Sequence, residues 1–154
     1  MIDTPTIKES EAQTTAVIHM TIPAADCPKE YGPAIAELLA VLGEQGLAPA
    51  GPMFSHHLRR PTETFDFEVG FPVTAPVAPK GRVKPGQLPK AKVAHTIYHG
   101  PYEGLPQAWG KFCQWIDANN HKPAANLWEC YSVGPHQSED SAVWQTELIC
   151  PLTV

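Results

Sequence analysis

The sequence has no apolar run approaching the roughly 20 residues of a membrane-spanning helix. Its N-terminus lacks the basic-then-apolar pattern of a secretory signal. A membrane partner is therefore not expected. Positive charge is also scarce, with 11 basic residues against 16 acidic ones and a net charge of -5. Phosphate contacts depend on clustered Lys and Arg, so direct nucleic-acid binding is not expected either. The four cysteines, Cys27, Cys113, Cys130 and Cys150, show no CxxC or other metal-ligand spacing. They read as reduced thiols in a cytoplasmic protein. The seven histidines are scattered, and the adjacent His56 and His57 would point to opposite faces of a strand. No metal and no cofactor are expected, and no nucleophile–base motif is present.

Proline, by contrast, is abundant, at 17 in 154 residues. That count implies many short elements separated by firm turns. The length fits one domain, or two small modules sharing a core. Residues 1–10 are polar and aperiodic and read as a frayed lead-in. A strand is expected at 15–22, followed by a loop through Asp26, Cys27 and Pro28. A helix should carry Ile35, Leu38, Leu39 and Leu42 on one stripe, and two strands should follow at 51–58 and 64–73. Residues 74–90 mix Pro76, Pro79, Pro85 and Pro89 with glycines and Lys80, Arg82, Lys84 and Lys90. They read as a stiff, solvated linker. The pattern then repeats. A strand at 91–98, the turn His99-Gly100-Pro101-Tyr102 and a helix follow. Its Trp109, Phe112, Cys113 and Ile116 match the first stripe at one constant offset. Phe-Glu-Val-Gly-Phe-Pro-Val from Phe67 aligns with Thr-Glu-Leu-Ile-Cys-Pro-Leu from Thr146, which makes Glu68 the counterpart of Glu147. The expected architecture is α+β: module one about 11–73, a linker over 74–90, and module two over 91–154.

The richest stretch is Leu127-Trp128-Glu129-Cys130-Tyr131, facing Gln145-Thr146-Glu147-Leu148-Ile149 across the turn-rich segment 134–140. Alternation puts Glu129 and Tyr131 on one face and Trp128 and Cys130 on the other. A hairpin folded symmetrically about Ser138 would set Glu129 opposite Glu147. Facing carboxylates repel, so the pair is either solvated surface or part of a cavity holding a cation or a shared proton. The same reasoning in module one places Phe54 opposite Glu68. Cys113 falls on the helix stripe, Cys130 and Cys150 are placed away from the carboxylates, and Trp109 and Phe112 are placed in the core.

His99-Gly100-Pro101-Tyr102-Glu103-Gly104-Leu105, the helix from Trp109 to Trp115, Trp128-Glu129-Cys130-Tyr131 and Thr146-Glu147-Leu148 with Pro151-Leu152 together resemble the GyrI-like effector-binding family. So does Glu68-Val69-Gly70-Phe71-Pro72-Val73, and the resemblance runs from about residue 10 to Val154. It implies a single domain of two tandem strand-helix-strand-strand modules in pseudo-twofold arrangement, with a ligand cleft between the sheets. It also implies a small-molecule ligand that is amphipathic, cationic or aromatic, met by an acidic residue at the position of Glu129. Phe54, His56, Glu68, Glu129, Tyr131, Glu147 and Ile149 are the expected lining. Tyr102 is a candidate for the rim. The sequence shows no helix-turn-helix beside this domain, so a stand-alone binding protein is expected. The alternatives are a cofactor-independent hydrolase of strained, cyclopropane-type toxins, with Glu129, Tyr131 and Glu147 as catalytic candidates, or a protein that modulates gyrase or partners a regulator.

Overall fold

The computed structural model describes residues 2–59, 62–134 and 138–153, with Cys27 and Pro28 described by backbone alone. In chain order the strands are β1 (Thr6–Glu9), β2 (Gln13–Pro23), β3 (Phe54–His57), β4 (Thr64–Pro72), β5 (Val83–Leu88), β6 (Lys92–His99), β7 (Lys122–Pro123), β8 (Leu127–Val133) and β9 (Gln145–Thr153). Two helices, α1 (Cys27–Glu44) and α2 (Leu105–Ala118), make the chain α+β. The chain divides into two compact units, one of Glu11–Lys90 and one of Met1–Ser10 with Ala91–Val154.

In the first unit the strands run in the order β3-β4-β2-β5, all antiparallel. Alternation along β2 turns Ala16, Ile18 and Met20 toward α1, where they join Phe67 and Val69 of β4 in the core. From the helix, Ala34, Leu38, Val41 and Leu42 close that core, with Leu38 fully buried. The spacing is that of one helical stripe, but Leu39, expected on it, is 46% exposed. Helix α1 starts at Cys27 where a loop was expected, with a proline in its first turn, where a missing N–H costs nothing. It stops before Gly46, whose φ of 68° is the left-handed conformation that ends helices. At Gly70 any Cβ would sit 2.2 Å from the Ala16 carbonyl oxygen, so β2 and β4 pack this closely only because the site is glycine.

The second unit orders its strands β1-β6-β9-β8, with β7 on the end of β9. Here Ala94 and Tyr98 of β6, Leu148 and Cys150 of β9, and Leu105, Ala108, Phe112 and Ile116 of α2 form the core. Trp109 and Cys113 of the expected stripe are partly buried at its margin.

Two expectations fail for the same reason. Residues 6–9, read as a frayed lead-in, pair with β6 from Thr6 opposite His95 to Glu9 opposite Lys92. Residues 83–88, read as linker, pair with β2 from Val83 opposite Ile18 to Leu88 opposite Gln13. Both are short edge strands built on backbone hydrogen bonds, and neither carries enough apolar residues to show a period. An edge also tolerates Pro85, whose missing donor faces no partner strand. The basic residues beside it are paired: Lys80 with Glu44, Arg82 with Glu37 at 3.0 Å and Lys84 with Glu68 at 3.7 Å. Arg60, Pro61 and 135–137, read as turn residues, and the Cys27 thiol lie outside the described residues.

Truncating the buried members of each stripe, by Leu38→Ala or Phe112→Ala, is expected to destabilise the fold by about 2–5 kcal/mol in urea titrations. The exposed Leu39→Ala should cost under about 0.5 kcal/mol in the same assay.

Candidate functional site

The site grows from the pairing of β8 with β9. Trp128 lies opposite Ile149, Glu129 opposite Leu148 and Cys130 opposite Glu147, with a bulge between Cys130 and Val133. This register differs by one residue from the symmetrical hairpin expected from sequence. The connection runs from Gly134 through a single turn of 3-10 helix at Ser141–Val143 to Trp144, so it does not fold about Ser138. A one-residue slip moves side chains to the other face. Glu129 and Glu147 therefore do not face each other: they lie on opposite sides of the sheet.

Glu129 shares its face with Leu148, toward α2. Trp109 of α2 donates its Nε1–H to Glu129 Oε1 at 2.6 Å, and the Tyr131 hydroxyl donates to Oε2 at 2.9 Å. Two more rings complete the surroundings. Tyr102 stands 5.6 Å from Tyr131 and 4.9 Å from Trp144, between ring centroids. All four rings and Glu129 itself are half-buried, so the cluster presents aromatic surface to solvent beside the acid. Burial pushes the Glu129 carboxyl above its ordinary value, and the two donors only partly oppose it. Burial likewise raises the Tyr102 phenol, helped by the Glu129 charge.

The motif His99-Gly100-Pro101-Tyr102-Glu103-Gly104 explains how Tyr102 arrives there. Gly100 has φ 134°, and its N–H donates to the Trp144 carbonyl at 3.1 Å. The Tyr98 hydroxyl donates to the Pro101 carbonyl at 2.7 Å. It fits only because residue 104 is glycine, where a Cβ would come within 2.1 Å of that hydroxyl. Trp144 is fixed in turn by its Nε1–H on the Ser138 carbonyl at 2.9 Å.

On the opposite face Glu147 is satisfied rather than stranded. Its Oε1 pairs with His95 Nε2 at 2.9 Å and its Oε2 accepts from Ser132 Oγ at 3.0 Å. The His95 hydrogen bond is the main cause that holds the Glu147 carboxyl below its ordinary value. Cys130 shares this face and Cys150 shares that of Glu129, contrary to their expected placement away from both carboxylates. The Cys130 thiol is pushed up to about 12 by burial and then by Glu147 and Glu129. It stays protonated and unreactive at neutral pH.

The remaining expected residues fall elsewhere. Ile149 lies with Glu147, across the sheet from Glu129. In the first unit Phe54 pairs with Gly70 and His56 with Glu68, two residues from the expected register. An even slip preserves the face, so Phe54, His56 and Glu68 still share one side, the side away from α1. The sequence placed Trp109 in the core and did not single out Trp144, so both members of the cluster were missed. Their ring N–H groups were the available signal, since a buried indole N–H needs an acceptor. Among the described residues no group of His, Cys, Asp and Glu is arranged to hold a metal ion. No described helix is long and apolar enough to cross a membrane. A cavity of about 90 Å³ lies beside Tyr98, Gln107 and Lys111, smaller than the roughly 150 Å³ that admits a benzene ring.

The profile of the GyrI-like small molecule binding domain matches residues 3–153, so the chain belongs to that family. Solved structures agree on the fold. The C-terminal domain of EcmrR superposes with a TM-score of 0.85 at 21% identity, covering 97% of each chain. EcmrR in a DNA complex gives 0.84 at 23% identity, and there the chain spans 97% of its own length but 57% of the EcmrR chain. SAV2435 bound to tetraphenylphosphonium gives 0.68 at 11% identity, covering 98% and 94%. No curated protein matches the sequence.

The raised Glu129 carboxyl sets a pH signature. A group that binds its proton more readily in the folded chain stabilises fully at low pH, and that contribution is lost as pH rises above the ordinary 4.5. Glutamine at this position accepts from Trp109 and donates to Tyr131 without ever ionising. Urea unfolding should therefore find Glu129→Gln increasingly more stable than the native chain between about pH 4.5 and 7.

Proposed function

We propose that this protein binds flat or globular lipophilic cations, with Glu129 as the counter-charge and Tyr102, Trp109, Tyr131 and Trp144 as aromatic walls. The two units are read as copies of one strand-helix-strand-strand module, with this site in the second copy. The observation that carries the reading is the carboxyl itself: it is raised in pKa by burial and, among the described residues, its hydrogen bonds come from the neutral donors Trp109 and Tyr131. No side-chain cation pairs with it among the described hydrogen bonds and ion pairs. A ligand cation supplies the missing charge, and ring faces attract cations by about 0.5–2 kcal/mol apiece. The family's small-molecule binding and the tetraphenylphosphonium held by SAV2435 support the same chemistry. Glu147 has no such role, because His95 and Ser132 already satisfy it.

Calorimetry with tetraphenylphosphonium tests the proposal. Glu129→Gln should weaken binding by roughly 1.5 kcal/mol or more, the scale of a charge-assisted contact. Neutral triphenylphosphine oxide should bind both proteins alike. Equal affinity of the two proteins for the cation would defeat the reading.

Binding should also be linked to protons. A cation favours ionised Glu129, so its affinity should rise between about pH 5 and 7, with proton release detectable as buffer-dependent heat. Glu129→Gln should show neither effect.

A further inference from the structure

The two units differ most informatively at the positions where their strands correspond. In the second unit Glu129 lies opposite Leu148. In the first, Ser55 lies opposite Val69 and His57 opposite Phe67. Val69 and Leu148 occupy the same place in Phe-Glu-Val-Gly-Phe-Pro and Thr-Glu-Leu-Ile-Cys-Pro. Register therefore equates Ser55 with Glu129, both on the helix side of their sheets, and His57 follows Ser55 by two residues as Tyr131 follows Glu129. Ser55 too is reached from its helix: Tyr31 of α1, one turn before the Ile35 that aligns with Trp109, shares a hydrogen bond with Ser55 Oγ.

Aromatic rings surround these residues as well. His57 stacks on Phe67 at 5.2 Å and meets Phe65 edge-on at 5.4 Å, while Tyr31 stacks on Phe67 at 6.3 Å. Tyr31 and Phe65 are half-buried and form the rim. His57 is 8% exposed, and its Nδ1 is buried with no hydrogen-bond partner among the described residues. A buried polar atom without a partner costs about 1–3 kcal/mol, so it marks a place where a partner stabilises. The two carboxylates of β4 do not serve this face. Asp66 and Glu68 alternate to the other side of β4, where His19 and Thr21 bond Asp66 and Lys84 pairs with Glu68.

We propose that the first unit holds a second binding site, formed by Tyr31, Ser55, His57, Phe65 and Phe67, for uncharged phenol-like aromatic molecules. The ring of such a ligand meets the aromatic rim. Its hydroxyl bonds His57 Nδ1, donating to a lone pair or accepting from an N–H according to tautomer. Burial holds the imidazole near a pKa of 4, so it is neutral at physiological pH. A cation gains nothing here, because the position equivalent to Glu129 is a serine. The inference rests on reading the units as copies, but not on cation binding at Glu129.

NMR of the histidine side chains, titrated with para-cresol, tests it. The His57 ring resonances should shift saturably in the native chain. Affinity, read in native and His57→Phe chains alike from the broadening of the para-cresol resonances, should fall by about tenfold in His57→Phe, the worth of one buried hydrogen bond. It should be unchanged in Glu129→Gln and unaffected by saturating tetraphenylphosphonium. Should His57→Phe fail to fold, Phe65→Ala removes rim surface without touching the imidazole and should weaken binding in the same titration. Para-cresol that leaves the His57 signals unmoved, or that tetraphenylphosphonium displaces, would overturn the inference. Either result leaves the cation site of the second unit standing.

Discussion

A carboxyl group taken out of water has to be held by donors, and Glu129 is held by two that come from different elements. Trp109 projects from α2 and Tyr131 from the same strand, two residues on. Neither brings a formal charge. Two neutral hydrogen bonds recover part of the hydration lost on burial, but not the ionic stabilisation that a paired cation gives. The acid therefore sits above its ordinary pKa. The surrounding geometry preserves this condition. Gly104 gives way to the Tyr98 hydroxyl, the Tyr98 hydroxyl fixes Pro101, and Tyr102 is thereby set against Tyr131 and Trp144. A side chain at residue 104 would disturb that chain of contacts at its first member.

The sheet separates two acids that sequence alone places together. Glu147 pairs with a histidine and a serine, and its donors outweigh its burial. Glu129 meets only aromatic donors, and its burial wins. The difference is one of face. Strand alternation sends one carboxylate to the side carrying His95 and Ser132 and the other to the side of α2. Cys130, on the strand between them, feels both charges and stays a thiol. One strand pair thus carries two acids of opposite pKa shift within a few residues of each other.

Long, strongly patterned elements were legible in the sequence, and details set by tertiary contacts were not. The helices were readable because Leu38, Leu42, Phe112 and Ile116 repeat at helical spacing. The edge strands were not, since β1 contributes one apolar side chain, Ile7, and β5 carries Pro85 and Gly86. Alternation puts Glu129 and Tyr131 on one face, where their side chains do hydrogen-bond, whereas the register that joins β8 to β9 differs by one residue from the expected hairpin. A bulge and an asymmetric loop set that register, and neither has a pattern in the sequence. Trp109 shows why periodicity misleads at a site. It falls at a core spacing, yet its indole nitrogen reaches over the margin of the core to the acid.

The contrast between the two units follows from the cost of buried charge. An ionised group without a charged partner costs several kcal/mol after relaxation, and a domain of this size is stable by only about 5–15 kcal/mol. On the proposed reading of the units as copies, an unpaired carboxylate at both equivalent positions would expend much of that stability. In this chain the carboxylate occupies one position and a serine the other. The tyrosine beside the acid is matched by a histidine that burial keeps neutral. The aromatic surroundings survive in both units because they stabilise the fold whether or not a ligand is present. The charged group is therefore the part in which the two proposed sites differ, and with it the charge of the ligand proposed for each.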